Sequence, residues 1–168
     1  MNDLRLLYWD ADIFISYINQ IPDRLPIIEA ILEEIEGNND MKIVTSVITK
    51  VEVFWAAHEK MNRVLSTDEE DNIDSLWNNP SLIEVIEFND EIALIARSLM
   101  RQGMQNGWKL KTFDAIQIAS AEWVQATEIN TYNLRDFKKY ESVIGIPIIN
   151  PTINQPKLFS LSEHNEKS

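Results

Sequence analysis

The chain has 168 residues, a formal net charge of −12 and no cysteine. That length suits a single domain that buries its own core, and the missing thiols exclude disulfides, thiolate zinc sites and cysteine nucleophiles. The acidity argues against a surface built for non-specific adhesion to DNA or membrane. Apolar residues make up 45% and charged residues 25%, which places the chain among soluble globular proteins. The N-terminal Met1-Asn2-Asp3-Leu4-Arg5 lacks the basic-then-apolar layout of a signal peptide, and no apolar run reaches the length of a bilayer. A cytoplasmic protein with no membrane partner is the expectation.

In chain order, Leu4 to Trp9 reads as a buried strand and Ala11 to Gln20 as a helix. Pro22 and Pro26 bracket a turn, and Pro26 at the first helical position opens an amphipathic helix, Ile27 to Glu36, that Gly37-Asn38-Asn39-Asp40 stops. Met41 to Val44 is a second strand, with Thr45-Ser46 in the position of a helix N-cap. The helix from Val47 to about Met61 carries Val47, Val51, Phe54 and Trp55 on one side. Ser66 to Asp71 reads as an acidic loop before a short helix ending near Asn78-Asn79-Pro80. Leu82 to Phe88 is a third strand. Asn89 or Asp90 caps a helix to about Gln102, with Ile92, Leu94, Ile95 and Leu99 apolar, and Gly103 and Gly107 mark a loop. A very apolar helix runs from Thr112 to about Ala126, followed by a fourth strand at Glu128 to Thr131, a helical turn at Leu134 to Glu141 and a last strand, Ile144 to Ile149. The tail from Asn154 is polar apart from Leu158, Phe159 and Leu161.

Strands alternating with helices predict a three-layer α/β/α domain with a central, mostly parallel sheet. There is no internal repeat, and four glycines leave neither a dinucleotide fingerprint nor a Walker loop. In such sheets ligands sit outside the carboxyl ends of the strands. Asp10 stands at the tip of the first strand, with Asp12 two residues on. Glu52 lies on an otherwise apolar helical stretch, Asp114 opens the most apolar helix, and Asp136 follows the fourth strand. Each has an ordinary reading. Asp10 or Asp12 suits a helix cap, Asp114 with Gln117 makes a capping-box-like pattern, Asp136 suits a short helix, and Glu52 has Lys50 and His58 on the same helix. If instead the four meet at one edge of the sheet, they repel unless a cation sits among them. Oxygen ligands suit Mg²⁺ or Mn²⁺, which activate water and brace the leaving oxygen of a phosphodiester. Such a site also reconciles the acidity with an anionic substrate, as would a basic partner covering part of the surface. His58 and His164, the two histidines, fall on a helix exterior and in the tail.

Four blocks in order resemble the PIN-domain nucleases, and within them the toxin ribonucleases of the VapC type. They are Tyr8-Trp9-Asp10-Ala11-Asp12-Ile13, Thr45 to Glu52, Leu110 to Ala121, and Thr131-Tyr132-Asn133-Leu134-Arg135-Asp136-Phe137. Asn133 stands where the family often has an aspartate, and Asp136 keeps a carboxylate nearby. The resemblance implies a PIN-like nuclease domain over residues 1–151 and a polar tail over 152–168. It implies an endoribonuclease dependent on Mg²⁺ or Mn²⁺, with Asp10 and Asp114 as main metal ligands and Glu52 and Asp136 completing the pocket. Asp12, Ser46, Thr131 and Asn133 would orient ligands or substrate. It further implies an RNA substrate, a homodimer and a small antitoxin partner. Two alternatives stay open: a haloacid-dehalogenase-like phosphatase with Asp10 as nucleophile and Asp12 as its acid, and a catalytically inactive PIN-like binding module.

Overall fold

The computed structural model describes residues 4–61 and 64–153, with the backbone alone for 55–61. Trp55, His58, His164 and the tail from Asn154 therefore lie outside the described side chains. The elements in order are β1 (Arg5–Trp9), α1 (Ala11–Ile18), α2 (Leu25–Glu36), β2 (Met41–Ser46), α3 (Ile48–Met61), α4 (Thr67–Ser75), β3 (Ile83–Ile86), α5 (Asp90–Gln105), α6 (Thr112–Trp123), β4 (Glu128–Asn130), α7 (Leu134–Phe137), a 3₁₀ turn (Lys138–Tyr140), α8 (Glu141–Ile144) and β5 (Ile148–Ile149).

All pairings are parallel, in the order β3-β2-β1-β4-β5. Both faces of a parallel sheet are covered by helices, so its strands alternate between two cores rather than between core and water. Leu7, Trp9 and Ile43 join Ile13, Phe14, Ile28, Ile31 and Val53 on one side. Tyr8 and Val44 join Ile92, Leu99, Ile118 and Phe137 on the other. The three-layer α/β expectation holds. The chain moves outward from β1 through β2 to β3, then returns to the far side of β1 with β4. That reversal places a topological switch point, where such sheets open a crevice, at the carboxyl ends of β1 and β4. The crevice is pinned by the Asp10 N–H donating to the Asn130 carbonyl at 3.1 Å and by Trp9 Nε1–H donating to Asn130 Oδ1 at 3.1 Å.

Several local expectations change. Helix α2 begins at Leu25, so Pro26 is its second residue. Strand β2 runs on through Ser46, placing Thr45 and Ser46 inside the sheet's buried end. The stripe expected on α3 holds in part: Val47 and Val51 are exposed, Phe54 packs half-buried against the core, and Thr49 and Val53 are fully buried. The acidic Ser66 to Asp71 stretch is mostly helix. Ser66 caps α4 in a reciprocal capping box with Glu69, and three acids in the first turn favour the helix dipole. Leu94 is exposed. The final strand shrinks to Ile148–Ile149 because Gly145, in the left-handed conformation, ends α8.

Gly103 lies inside α5 rather than in a loop, against Trp108 and Tyr140. A Cβ there would overlap the Tyr140 hydroxyl and stand 3.2 Å from the Trp108 carbonyl oxygen. Tyr140 is fully buried and stacks edge-on against Trp108 at 5.4 Å, so it has no room to retreat. In an open helix Gly→Ala gains about 1 kcal/mol. Here Gly103→Ala should instead destabilise the fold by roughly 1–3 kcal/mol, read as a lower midpoint in urea unfolding.

Candidate active site at the ends of β1 and β4

The apolar residues of β1 carry the backbone to the crevice, and Asp10 is the first residue beyond. It is both cap and site residue. Its Oδ1 accepts the Ala11 N–H at 2.8 Å, capping α1, while Oδ2 accepts the Thr131 hydroxyl at 2.9 Å. Asp12, in the first turn of α1, turns back to the loop after β4. Its Oδ2 accepts the Tyr132 N–H at 2.9 Å and stands 3.1 Å from the same Thr131 hydroxyl. A hydroxyl has one proton to give. Two carboxylates competing for it at these distances favour a proton or cation between them. Thr131 is itself held by the Asn133 N–H at 3.0 Å.

Glu52 reaches the crevice from the second turn of α3, where Gln117 Nε2 donates to its Oε2 at 2.5 Å. Asp114 is the third residue of α6, whose cap position is Lys111 with no side-chain capping bond. The capping box expected for Asp114 and Gln117 is therefore absent: Gln117 is buried and spends its amide on Glu52, Thr49 and Tyr8. Asp136 stands at the rim beside Asp114. Arg135 grips both its oxygens, at 3.1 and 3.3 Å, and Asn133 Nδ2 donates to it at 3.2 Å. The Ser46 hydroxyl faces the start of α3, accepting the Ile48 N–H at 3.3 Å.

These placements divide the acids electrostatically. Burial pushes Asp10 well up, and Asp12 and Glu52 add repulsion. Burial raises Asp12 to about 6, against hydrogen bonds and Arg24 that favour its charge. Glu52 rises to about 7, first by burial and then by repulsion from Asp114 and Asp12, which the Gln117 bond opposes. Asp114 is raised by burial and by Asp136, with Lys111 opposing. Asp136 goes the other way, lowered by Arg135. The structure thus brings Asp10, Asp12, Glu52 and Asp114 into one desolvated cluster and leaves Asp136 at its edge, already paired.

Among the described residues, no three His, Asp or Glu side chains stand close enough to enclose an ion unaided. The donor set nevertheless fits a hard cation that keeps part of its water shell. Asp12 Oδ1 and Asp114 Oδ2 are buried carboxylate oxygens without a hydrogen-bond partner, an arrangement that costs free energy unless something positive meets it. Sequence reasoning missed Gln117 as a site residue, though it is the one polar side chain in Ala115-Ile116-Gln117-Ile118-Ala119. It also missed Arg24, whose guanidinium stacks 4.0 Å from the Tyr132 ring centre and whose charge acts on Asp12. No local pattern marked Arg24, because the loop before α2 meets the β4 end only in the folded chain.

Raised acids weaken a fold as pH rises. Glu52 binds its proton up to about 7 when folded but only to 4.5 in its ordinary state. Its penalty is absent below the lower value, grows between the two and is complete above the higher. In protein stripped of divalent ions, Glu52→Gln should therefore raise stability at pH 8 by about 1–2 kcal/mol and change it little at pH 4.5, measured by urea unfolding at both pH values.

A family model for the PIN domain matches residues 7–142. No curated protein sequence matches significantly. Among solved structures, VapBC2 of Rickettsia felis bound to a promoter DNA fragment superposes with a TM-score of 0.63 at 21% identity, covering 86% of this chain and 98% of the other. DNA-bound VapBC of Salmonella typhimurium gives 0.61 at 22%, covering 86% and 96%. Mycobacterium tuberculosis VapC20, described as a sarcin-ricin loop cleaving toxin, gives 0.58 at 9%, covering 76% and 89%. The family match spans β1 to α8 and takes in Asp10, Glu52, Asp114 and Asp136: the chain belongs to the PIN domain family.

Proposed function

We propose that the protein is a divalent-metal-dependent endoribonuclease that hydrolyses RNA phosphodiester bonds, acting as the toxin of a toxin–antitoxin pair. The observation that carries this reading is the desolvated cluster of Asp10, Asp12, Glu52 and Asp114 with two partnerless buried oxygens at the sheet's switch point. PIN nucleases in general use divalent metal ions. Mg²⁺ or Mn²⁺ bound here would supply charge stabilisation to the phosphoryl oxygens and an acidified water.

Asp10 and Asp114 are the expected ligands, and the free Asp12 oxygen would reach the ion through a retained water, since among the described residues no three acids stand close enough to enclose it directly. That gives Asp12 a larger part than turn-holding. Asp136 is better suited to fixing Arg135 at the rim than to metal binding, since Arg135 already neutralises it. Glu52, with a proton affinity near neutrality, is matched to taking a proton from the attacking water. Thr131 and Asn133 hold the acids in place. Arg24, Lys111 and Arg135 surround the cluster as cations for flanking phosphates. The phosphatase alternative loses ground, because the family model that matches residues 7–142 is that of the PIN domain.

An antitoxin partner is supported by the fold likeness to proteins solved as VapBC complexes. A homodimer and a cytoplasmic setting complete the reading. Among the described residues no helix is long and apolar enough to cross a membrane.

Purified protein with Mn²⁺ should cut RNA, and chelation should abolish the cut. Asp10→Asn and Asp114→Asn should each lower kcat at least about 100-fold, since even residues that only support ligands cost 10- to 100-fold. Undiminished cleavage by Asp114→Asn, or none by wild type on single-stranded and structured RNA, would falsify the nuclease reading.

A further inference from the structure

We propose that Gln117 is a positioning residue that aims the Glu52 carboxylate into the acid cluster, its own amide held in one sense by Tyr8 and Thr49. The inference rests on the nuclease reading of the site and extends it to a residue outside the acid set. Gln117 is fully buried in α6, three residues after Asp114. That spacing puts both on one helix face, so a single face supplies an acid to the crevice and a donor to the acid opposite.

The amide has a defined orientation. An ionised carboxylate only accepts, so Nε2 must point at Glu52 Oε2, at 2.5 Å. In that orientation Oε1 faces the Tyr8 hydroxyl, which donates to it at 2.5 Å. Thr49 Oγ1 takes the second Nε2 proton at 3.0 Å. Beyond it the chain of contacts continues through Thr45 Oγ1 at 2.8 Å to the Trp9 carbonyl, also 2.8 Å away. Tyr8, Thr45, Thr49 and Gln117 are all fully buried, and buried networks in which every member is satisfied rigidify what they hold. The network thus ties the Glu52 head group to the backbone of the residue before Asp10. Asp114 and Asp12 repel Glu52, so without the Gln117 donor its side chain would swing away from them.

The test is a double-mutant cycle read by two measurements: RNA cleavage, and Mn²⁺ affinity from the free-ion signal in electron paramagnetic resonance. Gln117→Met keeps the length and removes the donor. It should lower kcat roughly 10- to 100-fold, weaken Mn²⁺ binding several-fold and leave KM for RNA within about twofold. In the Glu52→Gln background the same change should add no further loss in either measurement, because the residue it acts through is gone. Tyr8→Phe, which removes the donor to Oε1 and loosens the amide, should show a smaller loss that also vanishes in that background. It replaces Gln117→Met if that variant does not fold. Losses that multiply in the double variant, or single variants indistinguishable from wild type, overturn the positioning role alone. A wild type that neither binds Mn²⁺ nor cuts RNA overturns the nuclease reading, and this inference with it.

Discussion

Carboxylates held out of water beside one another are the constraint on which the rest of this structure depends. Asp10, Asp12 and Glu52 repel across the ends of β1 and α3, and burial denies them the solvent that would screen them. Each raised proton affinity is work the remainder of the fold must do to keep the cluster assembled. The packing on both faces of the sheet does that work. Trp9, Ile13 and Phe14 lock the turn carrying Asp10 and Asp12 into one core, while Tyr8 and Ile118 lock the facing residues into the other. An acid on a loop would swing into water; one at a strand tip flanked by buried aromatics cannot.

Hydrogen bonding then divides the cluster into held and free oxygens. The Thr131 hydroxyl has one proton to share between one oxygen of Asp10 and one of Asp12, the Tyr132 N–H holds that same Asp12 oxygen, the Ala11 N–H holds the other Asp10 oxygen, and Gln117 holds one of Glu52. Asp12 Oδ1 and Asp114 Oδ2 are left over. A site that spent every oxygen on protein donors would be more stable and chemically inert. One that spent none would not hold its geometry. The division seen at Asp12, with orientation fixed through one oxygen and the other kept open, is what preorganised electrostatics requires.

The sequence revealed the layers because their signal is redundant: short strand runs alternating with helices along the whole chain admit few architectures. It was weaker wherever one residue does two things. Asp10 offers a choice between cap and site residue only if a carboxylate has one oxygen to use; it has two, and uses both. The pattern of Asp114 and Gln117 is a capping box by spacing, yet Gln117 faces α3 because the interior there contains Glu52 and Thr49, partners that spacing along one helix cannot show. Ser66 and Glu69 are the converse, a true capping box obscured by acids that suggested a loop. Two positions of the stripe expected on α3, Val47 and Val51, failed for a related reason. A helix carrying a buried acid must turn polar residues inward, so Thr49 and Glu52 point to the crevice and displace Val47 and Val51 to the surface.

The same logic separates Asp136 from the other acids. All follow or flank sheet ends in the sequence, so spacing treats them alike. In the fold, Asp136 lies in a four-residue helix at the rim, where Arg135 beside it has room to double back on both its oxygens. Charge compensation there comes from within the chain; for Asp12 and Asp114 it is incomplete. A carboxylate already paired contributes little to drawing in a cation and must lose its partner before it can bind one. Its lasting effect is on Arg135, which it holds beside Lys111 at the mouth of a pocket otherwise dominated by negative charge. Arg135 and Asp136 cancel each other there, so the uncompensated positive charge at this edge of a chain of net charge −12 is that of Lys111, which acts on both Asp114 and Asp136.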